Sequence, residues 1–266
     1  MEVLDMLNVL DNRRYDPVGH CIYCGVKNNL SKEHILPFGL SGTAILPHSS
    51  CSNCAKVTGE QERRVLRGFM WDVRVYLGLK SRNKHENALS EYPLIIMRGG
   101  VQETVMLPLD EYPILLHFPI FAPPAFLNPS GYTNGIRIRG IETVSFGPKP
   151  TEVLSNLGAS SISQNKYQKP VSFARVIAKI AYAYAAAEGT LDKIKGNPLV
   201  LPAILGNTDD IGRWVGTLTY PISVFDGQLH RILIHEDHQK GLLIGDVQLF
   251  SNSHTPRYGV IIGILR

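Results

Sequence analysis

The sequence predicts an α+β protein in which a small zinc-stapled module precedes an α+β domain with a mostly antiparallel sheet. Three observations predict it. All four cysteines, Cys21, Cys24, Cys51 and Cys54, fall in one short window. Beyond residue 90, short apolar runs alternate with turn residues, which is the texture of hairpins. One amphipathic helix, over residues 171–188, interrupts those runs.

The elements follow in order. Val3, Leu4, Leu7 and Leu10 suggest a short helix, followed by a loop. Residues 20–54 read as knuckle, turn and short extended pieces. Over residues 56–78 an apolar stripe of Val65, Leu66, Phe69, Met70, Val73, Tyr76 and Leu77 predicts a helix, with Thr58 as its cap and Glu60 and Glu62 near its first turns. The polar, aperiodic segment 80–91 predicts a boundary, dividing the chain into residues 1–85 and 86–266. Strands are expected at 94–97, 103–107, 136–138, 222–225, 231–235, 241–250 and 258–265, with turns at Arg98-Gly99-Gly100, Asn134-Gly135 and Asp226-Gly227. In the late helix Phe173, Ile177, Ile180, Ala181 and Tyr184 share a face. Ser172 is its expected cap, and Gly189 follows its end.

Composition narrows the function. Of 266 residues, 44% are hydrophobic and 19% charged, which is ordinary globular composition. Residues 1–85 hold twelve Lys and Arg against eight Asp and Glu, whereas the rest holds fifteen of each. The whole surplus of +4 therefore sits with the cysteines, where a basic surface suits a phosphate-rich partner. Acidic Glu2 and Asp5 precede any apolar stretch, so no secretory segment is read. The most apolar run, 112–127, is broken by His117 and four prolines, whereas a spanning helix needs about 20 clean residues. A cytoplasmic protein without a membrane partner is expected.

The cysteines form two C-x2-C pairs separated by 26 residues. Two residues between thiolates let a tight turn aim both sulfurs at one ion, and two such turns complete a tetrahedron. Gly25 relieves the backbone beside Cys24. A structural Zn2+ is expected; a redox reading would explain one pair and leave the other idle.

Between the pairs lies Ser31-Lys32-Glu33-His34-Ile35-Leu36-Pro37, and after the second pair a helix opens. This order, C-x2-C, acidic-His-Ile-x-Pro, C-x2-C and helix, resembles the HNH endonucleases of ββα-metal type, over residues 18–78. The resemblance implies hydrolysis of DNA phosphodiester bonds, RNA being the other candidate. His34 would be the general base and Glu33 an acidic residue beside a catalytic Mg2+ or Mn2+. A histidine takes a proton from water near neutral pH, and a hard cation takes oxygen ligands. Lys56, Arg63, Arg64 and Arg67 would contact phosphates.

Relatives commonly carry Asn or His directly after the second pair; here Ala55 stands there and cannot bind metal. Asn53 or Glu62 could fill that role, and a carboxylate is the better ligand for a hard cation. Thr43 and Ala44 stand near where the motif's middle Asn belongs. The alternative is therefore a catalytically inactive, zinc-dependent module that binds nucleic acid or protein. Modules of this kind also occur as effectors of bacterial defence or toxin systems. That role would make the later segment a regulatory domain and admit a homodimer or a regulatory protein as partner. His230, His235, Glu236, Asp237 and His238 form a second polar cluster, read as a hairpin turn. Zinc removal is expected to unfold residues 18–78 without melting the remainder.

Overall fold

The computed structural model describes residues 13–80, 89–128, 134–164, 168–219 and 228–266. The helix expected around Val3 to Leu10, the strand at 222–225, the Asp226-Gly227 turn and most of the polar boundary lie outside those residues.

The chain opens as a hairpin leading into a helix. Strand β1 (Leu30–His34) pairs antiparallel with β2 (Ile45–Cys51), and helix α1 (Ser52–Leu66) follows without a linker. Between Ser31 and Glu33 the register slips, because β2 carries extra residues at Pro47 to Ser49. The carbonyls of that bulge accept from the Val18, Gly19 and Ile22 amides, which docks the first cysteine pair onto the hairpin.

The single helix expected over 56–78 is instead two. α1 begins earlier, with Cys51 in the N-cap position, and Thr58 lies inside it, its hydroxyl donating to the Cys54 carbonyl at 3.1 Å. Thr58 is therefore not the cap. The chain then turns at Gly68 before α2 (Trp71–Tyr76). A Cβ at Gly68 would lie 2.5 Å from the Arg64 carbonyl oxygen, so this tight break requires glycine. Arg74, on the stripe's flank in sequence, is buried. Its guanidinium donates to the Gly39 and Leu66 carbonyls at 2.6 and 2.9 Å, locking the Phe38–Leu40 turn to the end of α1.

The remaining strands are antiparallel, as expected. β3 (Glu91–Arg98) lies between β4 (Val101–Pro108) and the short β7 (Ser161–Ser163); β5 (Ile114–Phe121) pairs with β6 (Ile138–Phe146). β5 occupies the apolar run noted in the sequence; Ile114, Leu116 and Phe118 are buried, but apolar Leu115 and Ile120 take half-buried positions too, so the sequence shows an apolar run without alternation. α3 (Pro150–Leu157), unexpected from the sequence, has Pro150 at its first turn and left-handed Gly158 at its end. The last sheet orders as β8 (Val215–Thr217), β11 (Arg257–Ile264), β10 (Leu242–Leu249) and β9 (His230–Asp237).

Helix α4 (Pro170–Ala187) sits at the centre. Pro170 fills its first turn, so Ser172 is a buried first-turn residue and not a cap; Gly189 follows the end in the left-handed region, as expected. One face of α4 lies on the last sheet so closely that a Cβ at Gly245 would meet the Ala181 Cβ at 2.5 Å. Its other side packs on α1. Buried on nearly every side, it is apolar nearly all round. A single buried cluster runs from Cys21, Leu46 and Met70 through Phe173 and Ile177 to Val247 and Ile262. Phe69 touches Phe173 and Phe118 edge-on, with ring centroids 5.5 and 6.2 Å apart, so residues from both predicted segments share one core.

His230 is a second tie between the segments. Its Nε2 donates to the Leu40 carbonyl at 3.1 Å, and its Nδ1 accepts from the Phe250 amide at 3.1 Å. Burial pushes its pKa down to about 3, despite the raising effect of the Leu40 bond. The unfolded chain binds this proton near pH 6.5 and the folded chain near 3. Stability from His230 is thus fully present above pH 6.5 and lost as pH falls through that window. Urea unfolding at stepped pH should show this slope in the parent and a shallower one in His230→Gln, which keeps the Leu40 donor without titrating. Equal slopes would remove His230 as the cause.

Candidate metal centre and its buried ion cluster

The four thiols converge. Cys21 and Cys24 sit on a turn closed by the Gly25 amide donating to the Cys21 carbonyl at 2.8 Å, with Gly25 at φ +77°. Cys51 ends β2 and Cys54 lies in the first turn of α1, so both stand at the positive end of that helix. All four sulfurs lie within 4.8 Å of one another, and those of Cys24 and Cys51 are 3.6 Å apart. Sulfurs bound tetrahedrally at about 2.3 Å from zinc would be separated by about 3.8 Å. The Cys54 amide draws the Cys51 thiol down to about 7, assisted by neighbouring thiols and against the cost of burial. Four soft donors at this spacing form a metal site that fits Zn2+ and leave no coordination position open.

Glu33 and Glu62, 29 residues apart in sequence, meet across the gap between β1 and α1. They do not meet each other directly. Lys179, from the middle of α4, stands between them, with its Nζ 2.6 Å from Glu33 Oε1 and 2.9 Å from Glu62 Oε1. It also donates to the His34 carbonyl oxygen. Lys179 and Glu33 are buried and Glu62 is about one-fifth exposed. Burial alone would pull the Lys179 ammonium down; the charges and hydrogen bonds of Glu33 and Glu62 overcome it and hold the lysine well above its ordinary value. Three positions further on, the Tyr182 hydroxyl donates to the Ile22 carbonyl, and its ring packs on Tyr23 with centroids 5.7 Å apart. One turn of α4 thus grips both the knuckle and β1.

The other expected residues divide. His34 is half-buried at the end of β1, its ring edge-on to Phe38 at 5.7 Å. Asn53 is exposed, and nine helical positions place it about 180° around α1 from Glu62, so it is not part of this cluster. Lys56, Arg63 and Arg67 are exposed and, at i, i+7 and i+11, share one face; Arg64 is also exposed but is ion-paired with Glu60 of its own helix. Among the described residues, the four cysteines are the one group of three or more His, Cys, Asp or Glu side chains close enough to share a metal ion. The late cluster lies mostly on a strand and not in the hairpin turn: His230, His235, Glu236 and Asp237 belong to β9 and His238 opens the turn to β10, while Glu236 pairs with Lys193 at 2.5 Å and Asp237 with Lys240 at 2.9 Å.

No protein-family model matches this chain, and no curated protein or solved structure does either. Among the described residues no helix is long and apolar enough to cross a membrane.

Lys179 is the residue that sequence reasoning missed. Its one signal is a charge in the middle of an otherwise apolar helix, one turn beyond Arg175. A lysine there must either snorkel out or find carboxylates, and α4 is covered on the side where snorkelling would lead.

Proposed function

We propose that this protein binds nucleic acid through an HNH-type ββα unit, with the exposed face of α1 against the phosphate backbone. The observation that carries this is the stripe of Lys56, Arg63 and Arg67 on a helix whose start is pinned by the four-cysteine cluster. Eleven residues of helix extend about 16 Å, enough to follow several successive phosphates, and arginine matches their geometry in bidentate fashion. The proposal is for binding and not cutting, because Lys179 already occupies the two carboxylates that a hydrolytic cation would use.

One observation favours a second reading, a metal-dependent endonuclease acting on DNA or RNA: Glu33 and Glu62 converge on one Lys179 ammonium that also bonds the His34 carbonyl. His34 would then be the general base, with Glu33 on the metal side of a Mg2+ or Mn2+. The alternatives separate in one experiment. Fluorescence anisotropy with a labelled duplex, across a salt series, should show binding that weakens with salt. Changing Lys56, Arg63 and Arg67 to alanine should reduce the log–log salt slope by roughly 0.9 per lost phosphate contact. Salt-insensitive binding, or none, would reject the proposal. Plasmid incubated with Mg2+, Mn2+ or EDTA should stay intact; metal-dependent nicking lost in His34→Ala would establish the endonuclease instead.

A further inference from the structure

We propose that the Lys179 ammonium is the protein's own cation in a latent divalent-metal site, which Glu33 and Glu62 would form if the lysine were removed. The proposal goes beyond nucleic-acid binding and does not depend on it.

Three oxygens surround Nζ: Glu33 Oε1 at 2.6 Å, Glu62 Oε1 at 2.9 Å and the His34 carbonyl. Two carboxylates and a main-chain carbonyl are the donor set of a hard cation such as Mg2+ or Mn2+, and not of zinc on thiolates. The charges do not balance. One ammonium faces two carboxylates, so the cluster holds a surplus negative charge that a divalent ion would neutralise and a lysine does not. A second, independent feature lies nearby. Tyr23, whose ring packs on Tyr182 less than one turn along α4 from Lys179, is buried, and its hydroxyl has no hydrogen-bond partner among the described residues. It offers a further neutral oxygen.

The backbone explains why the lysine and not an ion fills the site. Lys179 comes from the helix that packs on α1 on one side and on the last sheet on the other. A tethered ammonium is present at any ion concentration, and no free metal must be dehydrated to occupy the site. α4 thereby ties β1 and α1 to the C-terminal sheet electrostatically as well as by packing.

The test uses zinc-loaded full-length protein and Mn2+ as probe, with bound ion counted from the loss of the free Mn2+ electron paramagnetic resonance signal. Lys179→Ala should gain one Mn2+ per chain, at least tenfold more tightly than the parent. Adding Glu62→Gln to that variant should remove the gain. Lys179→Ser, which keeps a small donor toward the His34 carbonyl, is the second variant. If neither folds in plain buffer, each is refolded with and without Mn2+, and recovery only with Mn2+ supports the site. Three results would overturn it: folded variants with no gain, a gain that survives Glu62→Gln, or refolding that Mn2+ does not restore.

Discussion

Chelating the metal from the four cysteines is expected to unfold the protein in one transition that reaches both ends of the chain. Structural zinc in small modules contributes an apparent ~10–16 kcal/mol. That is comparable to or larger than the whole stability of an ordinary domain, about 5–15 kcal/mol. The sequence alone suggests that only residues 18–78 would melt. The shared core argues otherwise, since Cys21 and Leu46 belong to the same buried cluster as Phe173 and Val247. Loss of the knuckle also frees Ile22 and Tyr23 from Tyr182, which exposes α4. The two tryptophans report the outcome separately, because Trp71 starts α2 and Trp214 precedes β8. Fluorescence of Trp71→Phe and Trp214→Phe during chelation should change together. A change at Trp71 while Trp214 keeps its native signal would show that the first segment melts alone.

Replacing Lys179 with methionine should cost about 3–5 kcal/mol, the usual penalty for leaving buried charge without its partner. Methionine retains most of the side-chain volume, so the loss reports charge more than packing. Glu33 bears most of it, being buried, while Glu62 keeps some contact with water. The Lys179→Met, Glu33→Gln, Glu62→Gln triple variant should recover much of the loss, since no unpaired charge then remains. Because Lys179 is held above its ordinary value, its contribution is fully present below pH 10.5 and fades only as pH rises beyond that. Urea unfolding at neutral pH measures both variants. A loss under about 1 kcal/mol in the single variant would mean that water already reaches the cluster and screens it.

Much of the cysteine centre was legible in the sequence, because a C-x2-C turn is local and its geometry follows from a few backbone bonds. The antiparallel strands 94–97, 103–107, 231–235, 241–250 and 258–265 were legible because each is a short run bounded by turn residues, whether alternating in burial, as β3 is, or buried almost throughout, as β10 and β11 are. β5 was obscured because apolar Leu115 and Ile120 fill its half-buried positions as well, so the sequence does not alternate, and β6 because most of its residues are exposed. The helix expected over 56–78 was drawn from its apolar stripe, which continues across the break; the close approach that splits it at Gly68 is a matter of three-dimensional space.

The candidate site shows the same division. Sequence by itself determined that four thiols would gather, that an acid and a histidine would lie between the two cysteine pairs, and that a helix carrying basic residues would follow. Only the tertiary structure decided what those groups face. The cation between Glu33 and Glu62 comes from a residue 146 positions beyond Glu33, on a helix whose own pattern shows simply an apolar face. Local pattern records which side chains can reach a place. Which charge occupies that place depends on helix packing, and a buried carboxylate such as Glu33 has to be paired with whatever cation the packing brings within about 3 Å.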